Sequence, residues 1–437
     1  MVIEAGYFMF FNKEINLNIN KNQYNKVKNI IEWYISIIKY EYKNEYISPI
    51  NYENYLIIIS DIIPILDENE KDELIEIGYW LAKAIKIKIE EEFDEIDKSS
   101  MFIGLGYAAF SIYAFNKNTG LLKTFSNSLN NILLDESYKK LFKITYNTLK
   151  NETTYFYYDC IYGMSGVLNY LLKFKFDKKE EEKLIEILKY LLYFGKDSYI
   201  DGEKIINFRV KDDKNLFLNG YIDFGMAHGM IAPLISVSKF KRINKDISTC
   251  DDYLNKLLNI YSIFENKDNG YSKWPSRISI EEYINKNYNT DYSQNTSWCY
   301  GGTYIANGLK QIYYNIGNEI KGDEYSKTLR KLLNIEFIEY NLDTPILCHG
   351  YASLLSIITT VYKETKDITY LYNLENVLNE IFKVFDKNYR YGFKVNENSI
   401  YDNVDDDSFL EGTSGIILSL ISIFNPKSIY KELLLLN

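Results

Sequence analysis

Two histidines occur in the whole chain, and each is followed by glycine, in Ala227-His228-Gly229 and Cys348-His349-Gly350. A third stretch of the same character, Thr296-Ser297-Trp298-Cys299-Tyr300-Gly301-Gly302, sets a thiol between two aromatics and ahead of an apolar helical pattern. Cys299 at such a helix entrance would meet backbone N–H groups and the positive end of the helix dipole, and both favour thiolate. With Cys348 and His349 it makes a set of two thiolates and one imidazole. That is a three-ligand zinc site with one position open, the form that catalytic zinc takes. Adjacent Cys348 and His349 reach one ion only where the chain turns, and Gly350 is expected to supply that freedom. Two buried cysteines and a core histidine are the structural alternative, since the spacing is not that of a close cysteine pair. Cys160, after Asp159, and Cys250, heading a charged helix, are left out of the shell; Cys250 reads as a small apolar residue.

His228 has no metal-binding neighbour and reads as a general acid or base near pH 7. Asp159 precedes Gly163-Met164-Ser165-Gly166; it would orient His228 or handle a proton itself, or cap a helix as a surface acid. Tyr300 would hydrogen-bond a developing anion or ligand, or simply pack. The run Asp405 to Asp407 followed by Glu411 invites a paired-carboxylate glycosidase reading, but such charge runs usually lie in solvated loops, and that is the expectation here.

Helices must position these residues. Helical periodicity runs through the chain, as in Asn22 to Lys43 with Val27, Ile30, Ile31, Tyr34 and Ile37 on one side, and in Lys71 to Ile96. Mostly apolar helices led by glycine begin near Gly104-Leu105-Gly106, Gly163, Gly225 to Gly229, Gly301-Gly302, Gly350 and Gly412-Thr413-Ser414-Gly415, about 50–75 residues apart. Charged amphipathic helices alternate with them, at Thr124 to Lys150, Lys178 to Phe194, Asp251 to Glu265, Asp323 to Tyr340 and Asp367 to Phe385. An all-round apolar helix is buried and a one-sided helix lies outside it. The alternation therefore predicts an all-α fold, an α/α toroid (barrel) of about seven inner and seven outer helices, the N-terminal helices supplying the seventh pair. The glycines then gather at one mouth, bringing the reactive residues together. A linear solenoid is the competing architecture. Ser198 to Tyr221 reads as a strand-bearing insertion or loop, and Lys267 to Asn295 as a long irregular loop. No proline- or serine-rich seam divides the chain, so residues 1–437 are expected to form a single domain.

Composition narrows the partners. The chain has 60 acidic and 50 basic residues, a formal charge of −10, and no basic block interleaved with aromatics, which argues against nucleic acid. A polypeptide with some positive charge fits the acidic balance better. The 42 tyrosines reflect codon bias more readily than a substrate groove. Four cysteines in so long a chain do not make a secreted disulfide framework. The N-terminal Met1-Val2-Ile3-Glu4-Ala5 lacks a basic signal region, and no apolar run reaches the roughly 18–20 residues of a membrane span. A cytoplasmic location is expected.

Taken together, Tyr158-Asp159 ahead of Gly163-Met164-Ser165-Gly166, Ala227-His228-Gly229, Trp298-Cys299-Tyr300-Gly301, Cys348-His349-Gly350 and Gly412-Thr413-Ser414-Gly415 resemble the lanthionine synthetase C-like family, in particular its stand-alone class I lanthipeptide cyclases. The resemblance covers roughly residues 100 to 425 and is specific as a set. It implies an α/α barrel with zinc held at one mouth by Cys299, Cys348 and His349. It implies addition of a peptide cysteine thiol to dehydroalanine or dehydrobutyrine, closing (methyl)lanthionine rings in a leader-bearing precursor peptide. His228 and Asp159 would handle protons and Tyr300 would line the site. The resemblance also suggests docking to a lanthipeptide dehydratase and an ABC transporter at the membrane. One departure is Asn295, where the family usually has an arginine four positions before the cysteine; either another cation, Arg277 or Lys273 from the preceding loop, takes that role, or the role is dispensable. A non-cyclising peptide- or glutathione-binding relative is the other reading of the same fold.

Overall fold

The computed structural model describes residue 17 and residues 19–436, apart from 150–152, 201, 212–216, 218, 245–247, 269, 290–295, 396–405 and 426. Helices of two kinds alternate within it. One kind is amphipathic: α1 (Lys21–Lys43), α3 (Glu68–Glu91), α5 (Lys123–Leu149), α7 (Lys178–Phe194), α9 (Thr249–Ile263), α12 (Glu319–Leu332) and α14 (Leu374–Lys383). In α12 only Gly322, Tyr325, Leu329 and Leu332 are buried, a single helical stripe. Capping boxes start α1 at Asn20–Gln23 and α7 at Asp177–Glu180, so their first amides are satisfied locally while charged side chains stay in water.

The other kind is buried all round: α2 (Tyr52–Ile62), α4 (Gly104–Thr119), α6 (Met164–Leu171), α8 (Ile231–Ile243), α11 (Gly302–Asn315), α13 (Tyr351–Thr365) and α15 (Thr413–Phe424). Every residue of α15 is buried. These helices close into a ring. Packing joins α2 to α4, α6 to α8, α8 to α11, α13 to α15, and α15 back to α2. Tyr170 Oη donates to the Ala109 carbonyl at 3.0 Å between α6 and α4, and Tyr304 Oη to the Ser353 carbonyl at 2.8 Å between α11 and α13. The contact between α15 and α2 excludes the solenoid, whose first and last units never meet. Seven inner and seven outer helices are found among the described residues, with α1 and α2 as the seventh pair, as the alternation predicts.

The ring's interior is filled by the chain itself. Residues 429–436, all but half-buried Glu432, lie buried inside it, where Trp298 Nε1 donates to the Leu434 carbonyl at 3.1 Å and Gln311 Nε2 to the Leu435 carbonyl at 2.9 Å. Asp61, at the end of α2, accepts from the Ile429 amide at 2.6 Å. Nothing in the helical alternation foretold this leucine-rich plug.

Among the described residues three two-stranded antiparallel sheets are inserted between helices: β1 (Asp197–Ile200) with β2 (Glu203–Ile206), β3 (Tyr221–Asp223) with β6 (Arg277–Ser279), and β4 (Asn266–Asp268) with β5 (Tyr271–Lys273). Strands in the 198–221 region agree with expectation. The 267–295 region is more ordered than expected, carrying parts of β4, all of β5 and β6, and the short helix α10 (Ile280–Asn285) with its Ser279–Glu282 capping box. Helix α12 also stops earlier than the expected Tyr340. Asn373 Nδ2 donates to the carbonyls of Leu333 and Ile335 and lies 2.9 Å from Tyr340 Oη, so a neighbouring side chain satisfies groups that a longer helix would have used.

The acidic run departs furthest from expectation. Asp405 lies outside the described residues, but Asp407 is no solvated loop carboxylate. It is buried, both its oxygens accept from Tyr34 Oη at 2.8 Å, and one accepts from Ser414 Oγ at 3.0 Å. Burial, with Tyr34 and Ser414 pulling back, holds its carboxyl well above the usual carboxylate range. Asp407 therefore fastens outer helix α1 to the entrance of inner helix α15. Removing one partner of a buried polar group typically costs about 1–3 kcal/mol. Tyr34→Phe is expected to lower the unfolding free energy in urea by that amount; a change under about 0.5 kcal/mol would mean that the contact carries no such role.

Candidate metal centre and proton-handling pair

The segments that enter the inner helices are laced to one another by main-chain hydrogen bonds. The Met101 amide donates to the Ile161 carbonyl (2.8 Å), Cys160 to Ala227 (3.3 Å), and Met226 to Cys299 (3.1 Å). The amides of Trp298 and Cys299 both donate to the Cys348 carbonyl, at 3.1 and 3.2 Å, and the Cys348 amide donates to the Leu410 carbonyl at 2.8 Å. Residues far apart in the chain are thereby held at one mouth of the ring. Such close approach needs missing side chains. A Cβ on Gly225 would lie 2.2 Å from the Cys299 carbonyl oxygen, and one on Gly350 would lie 2.1 Å from the Thr344 carbonyl oxygen. Gly350 has extended backbone, φ −130°. It is required for that contact, not for a left-handed turn.

Cys299, Cys348 and His349 are brought together, their ligand atoms all within 4.8 Å of one another. The set grades outward from buried Cys299 through half-buried Cys348 to exposed His349, so one side faces solvent. The three share protons. Cys348 holds the Cys299 thiol well below the usual range, against burial, with help from His349 and Ser297. Cys299 in turn raises the Cys348 thiol and His349. The donors that favour thiolate at Cys299 are thus side chains of neighbouring segments, beside the helix entrance that the sequence pointed to. Two sulfurs and an imidazole, convergent and open on one side, fit zinc by the chemistry of the donor set. Cys160 lies outside the cluster, its thiol 3.3 Å from the Met226 carbonyl oxygen, and Cys250 is buried on α9.

His228 and Asp159 form the second group. Asp159 is fully buried, and its Oδ2 lies 2.7 Å from His228 Nδ1. Its Oδ1 accepts from the amides of Tyr162 (2.7 Å) and Gly163 (2.8 Å), which fixes the carboxylate plane at the entrance of α6. Burial pushes the Asp159 carboxyl up, partly offset by these donors. Burial opposes charge on His228 as well, yet the Asp159 contact outweighs it and raises the imidazole above its ordinary value. With Nδ1 committed, Nε2 is the nitrogen left for chemistry. The Tyr155 ring packs on the imidazole at 4.3 Å between centroids.

A third group joins Tyr300 and Arg277, both named from the sequence, to Asp223, which was not. Asp223 is buried, accepts from the Gly225 amide at 2.8 Å, and its Oδ2 lies 3.0 Å from Arg277 Nε and 3.1 Å from Tyr300 Oη. Arg277 Nη2 also donates to Tyr300 Oη. Tyr300 therefore does more than pack: burial and Asp223 push its hydroxyl up, so it stays protonated beside Cys299. Asp223 had a readable signal, since it stands two residues ahead of Gly225 as Asp159 stands four ahead of Gly163. Asn295 lies outside the described residues.

The chain matches the model of the family described as lanthionine synthetase C-like protein over residues 65–435. It is 26% identical over 334 residues to the nisin biosynthesis protein NisC of Lactococcus lactis subsp. lactis, covering 74% of this chain and 73% of that protein. The solved structure of a nisin cyclase superposes with a TM-score of 0.74 at 20% identity, covering 95% of this chain and 98% of the other, and so shares the fold. The family match takes in the three-ligand cluster, the His228–Asp159 pair and the helices from α3 onward: the chain belongs to the lanthionine synthetase C-like family.

Proposed function

We propose that this chain is a zinc-dependent lanthipeptide cyclase, adding cysteine thiols of a dehydrated precursor peptide to dehydroalanine or dehydrobutyrine to form (methyl)lanthionine rings. The observation that carries the reading is the meeting, at one mouth, of an open Cys299–Cys348–His349 cluster with an oriented His228–Asp159 pair. The names of NisC and nisin cyclase support the same chemistry, and family membership weighs against a glycosidase. A non-cyclising relative would have no use for a histidine whose inner nitrogen is held by a buried carboxylate.

Cys299, Cys348 and His349 would hold the zinc. When bound, zinc supplies Lewis acidity, which lowers the pKa of a thiol that joins it so that thiolate persists near neutrality. The residues of the chain supply the rest. His228, charged and fixed through Nδ1, presents its Nε2 proton to the substrate α-carbon. Asp159 sets the ring's orientation and stabilises its charge. The glycine-narrowed mouth brings the peptide's two reacting groups together, and such positioning is a large part of catalysis. The substrate is a peptide carrying its leader; a dehydratase and an ABC transporter are proposed as partners, bringing the chain to the membrane surface. Among the described residues no helix is long and apolar enough to cross a membrane.

Incubation with a dehydrated peptide containing one cysteine tests the proposal. Free thiol is expected to disappear with no change in peptide mass, since addition is an isomerisation. Persisting thiol with zinc-loaded protein contradicts it. His228→Ala is expected to slow thiol loss by the 10²–10⁴-fold typical of a general acid while zinc content stays unchanged; wild-type rates would remove His228 from the mechanism.

The proton assignment has its own check. Because the raised form of His228 is the protonated one, it persists above the ordinary imidazole value near 6.5, and its charge is lost as pH rises through the higher folded value. In nuclear magnetic resonance spectra of a chain with two histidines, His228 is expected to titrate above that value, and Asp159→Asn to move its midpoint down. The rate's alkaline limb is expected to move with it. An unmoved midpoint would mean that Asp159 does not set the charge.

A further inference from the structure

Adding a thiolate to a dehydro residue forms the S–Cβ bond and breaks the C=C π bond. The displaced pair passes through Cα to the amide carbonyl, leaving an enolate oxygen until a proton reaches Cα. That oxygen needs a preorganised donor, preferably cationic, in a site where water cannot serve. We propose that Arg277 is that donor, delivered from the β3–β6 ladder and not from the segment leading into Cys299, where Asn295 offers no charge. The inference rests on the cyclase reading above.

Four features carry it. First, the ladder register pairs Arg277 directly with Asp223 across β3 and β6. Asp223 itself lies five residues before His228, so the strand pair sets the guanidinium beside the proton-handling segment. Second, the guanidinium is gripped on several sides. Nε is held by Asp223 at 3.0 Å, Nη2 by Tyr300 Oη, and Cζ lies 4.9 and 5.1 Å from the ring centroids of Tyr221 and Tyr300. A rigid fork of donors that also sits against aromatic rings is arginine's particular capability; lysine has no equivalent. Third, these contacts use Nε and Nη2, and among the described residues Nη1 has no hydrogen-bond partner. Its side chain remains about a third exposed, at 35%, where the mouth opens. Fourth, Arg277 adjoins both other groups. It touches Tyr300, next to Cys299, and it is near enough to His228 to oppose that ring's charge. Lys273, the other cation from this region, lies in β5 with its backbone paired to Asn266.

The arrangement also assigns Tyr300 and Asp223. Tyr300 Oη accepts from Arg277 and donates to Asp223, so it is a positioning residue and not itself the oxyanion donor. Asp223 neutralises the guanidinium enough to let it reside half-buried, while leaving one nitrogen directed elsewhere.

The test uses the full chain, zinc-loaded, with a dehydrated peptide bearing one cysteine. Arg277→Ala is expected to lower kcat on the order of 10²–10³-fold, the usual loss for one oxyanion donor, with KM changed less than about threefold and zinc unchanged. Added guanidinium ion is expected to restore part of kcat in a concentration-dependent way, which a purely structural loss would not show. Should Arg277→Ala lose its cooperative melt, Arg277→Lys carries the test, with kcat down about tenfold or more at unchanged KM. Unchanged kcat in the folded variant, a loss confined to KM, or a loss that guanidinium cannot recover would overturn the assignment. Failure of the wild-type chain to consume thiol would instead sink the cyclase reading, so the two failures are distinguishable.

Discussion

The Cys348 peptide unit is the joint on which the site depends. Its carbonyl accepts the amides of Trp298 and Cys299, and its own amide is bound by the Leu410 carbonyl, so three inner-helix entrances meet on one residue. A single such bond contributes about 0.5–1.5 kcal/mol net, but leaving a buried amide unmade costs about 1–3 kcal/mol. Register at the mouth is therefore enforced more by the penalty for error than by the reward for success. Cys299 and Cys348 come together because the two segments that bear them share a carbonyl. The same lacing continues through Met226 and Cys160, and it packs Gly225, three residues before His228, against Cys299 and Tyr300.

This joint explains why the fold was largely legible. Two periodic signals, apolar all round and apolar on one stripe, decide which helix is inner and which outer, and they survive any detail of loops. Closure follows because α15, with no polar face, must find α2. The meeting of Cys299, Cys348 and His349 was legible for a related reason. Cysteine and histidine next to glycine at helix entrances leave few ways to arrange backbone that close to backbone. Less legible was whatever depends on tertiary partners. Asp407 looked solvated in a run of aspartates, yet Tyr34, hundreds of residues away, takes it into the interior. Leucines 433–436 gave no periodic sign of becoming the plug. Asp223 and Arg277 are paired only through a strand register that three-residue strands hardly announce.

The charges at the mouth divide by sign and duty. Cys299 is pushed toward thiolate by its neighbours, His228 toward imidazolium by a buried carboxylate, and Arg277 carries positive charge between a carboxylate and a phenol. Each of these groups has a partner fixed in the fold, which is why two buried aspartates, Asp159 beside His228 and Asp223 beside Arg277, can be tolerated at the mouth. Neither aspartate is idle: each is also bound by the backbone amides at the entrance of the next inner helix, so the groups that stabilise the fold there are the groups that orient the chemistry.

The proposed centre holds one ion on Cys299, Cys348 and His349 with a position left for substrate sulfur. X-ray absorption at the zinc edge tests this directly. Two sulfur neighbours at about 2.3 Å and one imidazole nitrogen at about 2.0–2.1 Å are expected, with a light-atom fourth ligand that becomes a third sulfur when a thiol peptide is added. Four protein ligands at rest, or no change in sulfur number with the peptide, would contradict it.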